Sequence, residues 1–190
     1  MVNNLSDGTP QKMIFVDHER CIGCYACIVA CKMEHDLAPY PTSPPTAEPK
    51  GPRLIRVFQV GPEIKDGKVY QYFVAISCMH CTDPQCMSAC PVNAISKRVD
   101  GIMQVDRDRC IGCKFCLWAC PYGAPQFDLD GKMMLCDLCF HRLQEGKKTA
   151  CETHCPARCI YVGAPDEISK IMGQRAASRI EKPRESSLVA

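Results

Sequence analysis

The chain has 190 residues, sets 23 basic against 21 acidic side chains for a formal charge of +2, and contains 17 cysteines. That length bounds it to one compact unit or two small, closely packed subdomains, and so high a cysteine share makes the redox compartment decide the chemistry. The opening MVNNLSDGTPQK has no charged-then-apolar leader, twin arginine or cleavage site, and no stretch approaches the roughly 18 uninterrupted apolar residues of a membrane helix, so the expectation is a reduced cytoplasm with the cysteines as metal ligands.

In chain order, Met13 to Asp17 is a short apolar run that predicts a strand, and Cys27 to about Asp36 predicts a helix. Between them lie Cys21, Cys24, Cys27 and Cys31, spaced CxxCxxCxxxC. Pro39 to Pro52 holds six prolines, which exclude regular helix or central strand and predict an extended surface connection. Arg53 to Val60 and Lys68 to Ser77 are rich in β-branched and aromatic residues and meet across Lys65-Asp66-Gly67, a hairpin pattern. A second cysteine group follows, Cys78, Cys81, Cys86 and Cys90, its third spacer lengthened by two residues. Ala94 to Lys97 with Ile102 to Val105 predicts a hairpin turning at Asp100-Gly101. The third group, Cys110, Cys113, Cys116 and Cys120, repeats the unbroken spacing of the first. Gln126 to Asp128 with Met133 to Leu135 predicts a third hairpin at Asp130-Gly131. In the fourth group, Cys136 and Cys139 are followed by an eleven-residue insertion before Cys151 and Cys155. Pro165 to about Ser178 predicts a terminal helix with a narrow apolar stripe, and the last ten residues read as a tail.

Three thiolates two residues apart let one loop wrap three corners of an iron-sulfur cubane, while the fourth, a helical turn on, points elsewhere; in two-cluster ferredoxins it ligates the other cluster. Such groups therefore come in pairs. Four groups ending in CxxxC offer sixteen ligands, the number four cubanes require. A structural zinc ion is usually closed by two separated CxxC pairs, and the unbroken runs put too many thiolates in one loop for that. A disulfide framework needs an oxidising compartment. Loaded with four clusters the chain would carry roughly −6, which argues against a nucleic-acid partner. Cys90-Pro-Val-Asn-Ala-Ile, Cys120-Pro-Tyr-Gly-Ala-Pro and Cys155-Pro-Ala-Arg-Cys-Ile align as an internal repeat in which Cys159 stands where Ala94 and Ala124 stand. Cys159 is accordingly read as a free, buried thiol, small and apolar, and not a ligand.

On all four groups in order, with CDLCFHRLQEGKKTACETHCP, the chain resembles from about Met13 to Gly163 the four-cluster iron-sulfur (polyferredoxin) subunits of the dimethyl sulfoxide reductase, polysulfide reductase and formate dehydrogenase type; similar subunits accompany tungsten enzymes of the aldehyde oxidoreductase type. The resemblance implies ligand exchange between groups: Cys21, Cys24, Cys27 with Cys155; Cys136, Cys139, Cys151 with Cys31; Cys78, Cys81, Cys86 with Cys120; and Cys110, Cys113, Cys116 with Cys90. Spacing by itself favours only the inner exchange, because Cys90 and Cys110 are close in sequence. Some relatives replace a ligand and hold a three-iron cluster, but every ligand position here is cysteine. The implied fold is α+β: two ferredoxin-like two-cluster subdomains with inserted β-hairpins in one compact unit, the outer one from 12–60 with 131–165, the inner one from 68–130, and 166–190 as terminal helix and tail.

The expected function is electron transfer through four [4Fe-4S] clusters between a catalytic molybdo- or tungsto-pterin subunit and another redox partner, with a flavin or membrane-anchor subunit a further partner. The alternative is a carrier for a hydrogenase, formate or flavin-linked complex. No GxGxxG, P-loop or nucleophile-base constellation is present, so the chain itself is read as non-catalytic. Family members that dock with exported partners are carried across the membrane without a signal of their own, which sets export against the cytoplasmic expectation. His80, His141, Arg142 and His154, beside ligands, are candidates for raising a cluster's potential by charge or hydrogen bonding, against capping turns or meeting a partner; Lys32, Lys114 and Arg158 are weaker candidates.

Overall fold

The computed structural model describes residues 10–37 and 51–185. Most of the proline-rich connection and the last five residues of the expected tail lie outside these bounds. The fold is α+β, built from short helices and four two-stranded antiparallel sheets.

β1 (Met13–Val16) precedes the first cysteine group and pairs with β8 (Ile160–Gly163), which follows the fourth, in the register Met13↔Gly163 to Val16↔Ile160. The Asp17 amide extends the ladder to the Cys159 carbonyl at 2.8 Å. α1 (Ala26–Glu34) buries Cys27, Ile28, Ala30 and Cys31, a one-faced stripe at helical spacing. β2 (Ile55–Lys65) and β3 (Lys68–Ser77) form the long hairpin. Its turn puts Asp66 at φ 51° and Gly67 at φ 72°, the two positive dihedrals of a type I′ turn. β2 runs five residues past the predicted Val60 because the strand absorbs Gly61-Pro62 in a bulge, where the register shifts between Val60 and Glu63; a proline cannot donate to the ladder, so the bulge accommodates it.

α2 (Gln85–Ser88) and α3 (Phe115–Ala119) carry the tails of the second and third groups and pack on each other, as do α1 and α5 (Ala150–Thr153). β4 (Ile95–Lys97) and β5 (Met103–Val105) form the second hairpin, and β6 (Gln126–Phe127) and β7 (Met133–Met134) the third. α4 (Phe140–Gln144) occupies the insertion of the fourth group. α6 (Pro165–Glu185) continues past the predicted Ser178. Proline opens it, Asp166 and Glu167 sit in its first turn, where the helix dipole favours negative charge, and Glu167 accepts the Ala164 amide at 2.9 Å. Arg175 of α6 pairs with the buried Asp17 and lies over the Tyr161 ring, fastening the helix to the β1–β8 sheet. No helix among the described residues is long and apolar enough to cross a membrane.

Cysteine is the commonest residue of the apolar interior. One buried cluster joins Cys27, Cys31, Cys151 and Cys159 to Ile28, Leu54, Ile55 and Ile160; a second joins Cys78 and Cys116 to Ile95, Met103 and Met133. Cys136 packs against both.

Candidate metal centres

Each cysteine loop bends through a left-handed residue at the same place, immediately before the second cysteine: Gly23 (φ 66°), His80 (φ 47°), Gly112 (φ 70°) and Leu138 (φ 52°). Glycine adopts this conformation freely, whereas a histidine or leucine is held there at about 1–2 kcal/mol each. The turn makes a concave loop with amides aimed at sulfur. The His80 amide donates to Cys78 Sγ at 3.4 Å, and the Met133 amide, from β7, to Cys110 Sγ at 3.3 Å.

The internal repeat has a geometric counterpart. Ala94, Ala124 and Cys159 each donate a backbone N–H to the cysteine four residues earlier, Cys90, Cys120 and Cys155, at 3.3, 3.4 and 3.4 Å. The preceding residues, Asn93, Gly123 and Arg158, are all left-handed. All three small side chains are buried, Cys159 at 2% exposure.

Sulfurs of different groups come together. One small cavity is lined by Cys21, Cys24, Cys27, Cys155 and Cys159, and another by Cys90, Cys110, Cys113 and Cys116; Cys24 and Cys113 reach the surface. Burial, and then the neighbouring sulfurs of Cys151, Cys21 and Cys155, push the Cys27 thiol up to about 12. Cys31 is raised by burial and by Cys151 and Cys139. Cys136 is raised by burial and by Cys151, Cys31 and Cys78. Burial brings Cys78 to about 12 with Cys86, Cys81 and Cys120 around it, although the His80 amide opposes the rise. Cys116 reaches about 11 by burial, with Cys113, Cys86 and Cys110 beside it. Four thiolates so crowded and so far from water could not ionise together unaided. A cationic iron-sulfur core removes that obstacle, and the donor set of soft thiolates fits such a core.

The polar candidates divide. His80 is fully buried, so it meets no partner; its Nδ1 accepts the Met103 amide at 3.0 Å, and burial pushes its pKa down to about 4. Burial therefore weighs against a charged ring, and what His80 brings to the ligands is the hydrogen bond of its amide to Cys78 Sγ. His154 caps a turn through the Ala150 carbonyl at 3.0 Å. His141 and Arg142 hold Glu34 at 2.8 Å each, tying α4 to α1. Lys32 donates to the Leu37 carbonyl just past the end of α1, Lys114 lies over Phe127, and the Arg158 carbonyl accepts the Tyr161 hydroxyl. The sequence reading missed His35, whose Nε2 stands 3.5 Å from Cys139 Sγ and 3.6 Å from Asp137. The one available signal was its position four residues after Cys31, a helical turn away.

A family model for a 4Fe-4S dicluster domain matches residues 69–165, and one for a 4Fe-4S binding domain matches residues 12–33. The chain is similar to the B subunit of the anaerobic dimethyl sulfoxide reductase of Escherichia coli (strain K12), with 42% identity over 175 residues covering 89% of this chain and 81% of the relative. It is 35% identical to the thiosulfate reductase electron transfer subunit of Salmonella typhi, covering 95% and 91%. With the formate dehydrogenase iron-sulfur subunit of Wolinella succinogenes the identity is 34%, covering 87% of each.

Proposed function

Because this protein belongs to the family of 4Fe-4S electron-transfer subunits that includes the B subunit of dimethyl sulfoxide reductase, we propose that it conducts electrons between a catalytic molybdenum- or tungsten-pterin subunit and a second redox partner, a flavin or membrane-anchor subunit among the options. The cysteines fit four 4Fe-4S clusters. The sets we assign are Cys21, Cys24, Cys27, Cys155; Cys31, Cys136, Cys139, Cys151; Cys78, Cys81, Cys86, Cys120; and Cys90, Cys110, Cys113, Cys116. They would make an outer and an inner two-cluster subdomain. The observation that carries this reading is a pair of cavities, each lined by three cysteines of one group and the last cysteine of another, Cys155 in the first and Cys90 in the second, with Cys159 also on the wall of the first.

The neighbouring sulfurs give an order. Cys27 is raised by the charge of Cys151, Cys136 by that of Cys78, and Cys116 by that of Cys86, which supports a row in which each set neighbours the next, with its ends at Cys24 and Cys113. A bound 4Fe-4S cluster supplies a one-electron couple whose potential depends on hydrogen bonds to sulfur, charge and solvent. The chain's own part is to hold the thiolates, aim amides at them and exclude water from all but the ends. The reading places the complex in the cytoplasm, with export on a signal-bearing partner as the alternative that fractionation of the native complex decides.

Paired substitutions test the sets. The anaerobically purified chain should hold about sixteen iron atoms. Replacing Cys21 and Cys155 together by serine should remove one cluster and leave about twelve, whereas replacing Cys136 and Cys155 should remove two and leave about eight. The reverse, about eight for the first double and about twelve for the second, is what unexchanged groups would give and would defeat the exchange, and a colourless wild-type chain carrying zinc would defeat the cluster reading itself. Assaying molybdenum, tungsten, nickel and flavin in the native complex separates the pterin partner from the hydrogenase or flavin-linked alternative.

A further inference from the structure

Cys155 differs from its repeat counterparts in one respect. Beside Cys90 and Cys120, the residue that returns its amide to sulfur ends in a methyl group, Ala94 or Ala124, which has nothing more to give. Beside Cys155 that residue is Cys159, whose amide donates at 3.4 Å and whose own Sγ lies 3.4 Å from Cys155 Sγ. Cys159 is 2% exposed, and its carbonyl is taken by the Asp17 amide, so the thiol is fixed on both sides. It also lies against Cys21. With no water to satisfy it, the S–H has only neighbouring sulfur to bond, and a thiol is a weak donor. A donor aimed at a charge-bearing sulfur stabilises the state with more negative charge, which in a cluster is the reduced one.

We propose that Cys159 is a positioning and tuning residue: its S–H donates to the Cys155 thiolate and raises the reduction potential of the cluster that Cys155 holds, at one end of the row. This rests on the cluster reading above. No bond is made or broken. The consequence is an electron sink at that end that its counterpart cluster, served by Ala94 beside Cys90, lacks.

The test is an anaerobic redox titration of the iron-loaded chain followed by electron paramagnetic resonance. Cys159→Ala installs the residue already borne at positions 94 and 124, so the local fold tolerates it. One of the four midpoint potentials should fall while three stay, with iron still near sixteen atoms per chain. Cys159→Ser, which restores a donor, should recover the lost potential in part or whole. Four unchanged potentials in Cys159→Ala would overturn the inference while leaving the cluster reading intact. A drop to about twelve iron atoms would also overturn it, by making Cys159 a ligand. Absence of clusters from the wild-type chain would overturn both.

Discussion

Gly112 offers the most direct check on how the cysteine loops are built. It sits at φ 70°, and a Cβ added there would meet the Gly131 carbonyl oxygen at 2.7 Å. That oxygen is backbone at the tip of the β6–β7 hairpin, so it cannot swing aside as a flexible side chain would. Gly112→Ala therefore combines left-handed strain of about 1–2 kcal/mol with an overpacking penalty of about 1–3 kcal/mol. Gly146 supplies the control: its φ is 72°, and nothing lies within 4 Å of the added Cβ, so Gly146→Ala carries the strain alone. For a protein of this size each kcal/mol moves a melting midpoint by about 2–4 °C. Thermal bleaching of the loaded chain should shift downward by roughly 2–12 °C more in Gly112→Ala than in Gly146→Ala, this range being the steric part alone. The displaced hairpin also carries Met133, whose amide is 3.3 Å from Cys110 Sγ, so one midpoint potential should fall with the stability. Equal bleaching midpoints in the two variants would refute the argument that the Gly131 carbonyl fixes a glycine at 112.

Arg175→Met removes the cation from the buried Asp17 carboxylate, which keeps the Glu19 amide at 3.0 Å, and should destabilise the fold by up to about 3–5 kcal/mol, releasing α6 to proteolysis; the double variant with Asp17→Asn should recover part of the loss, and no recovery would show that the ion pair is not what latches the helix. Stripping iron with a chelator under anaerobic conditions should abolish near-ultraviolet circular dichroism, because all the elements except α1, the β2–β3 hairpin and α6 have two to five residues, too few to persist unaided, and the ligand bonds carry the folding free energy. Native dichroism in an iron-free chain would contradict that.

What could be read from the residues was what is decided locally. Asp66-Gly67, Asp100-Gly101 and Asp130-Gly131 each place a hairpin turn, and each turn is found there with its glycine left-handed. The α1 stripe was legible from spacing. The β1–β8 pairing was not, since Ile160 to Gly163 meets Met13 to Val16 only after the intervening chain has folded, and α2 to α5, at four or five residues, are too short to register a helical period. Whether His80 acts by charge or by hydrogen bonding was left open by the residues, because adjacency to a ligand says nothing of burial.

The deeper reason for the limit is that the site is shaped by backbone. The donors onto Cys90, Cys120, Cys110 and Cys78 are main-chain amides of Ala94, Ala124, Met133 and His80, and an amide leaves no mark on the residue type that bears it. What the loops require is a dihedral angle, met by glycine at 23 and 112 and by histidine and leucine at 80 and 138. Glycine betrays that requirement in the sequence; His80 and Leu138 conceal it, because Met103 and burial hold them in place. It follows that replacing either by a residue of different shape disturbs an amide-to-sulfur contact through the chain rather than through the side chain, which sets these two positions apart from Cys159, whose own thiol lies 3.4 Å from Cys155 Sγ.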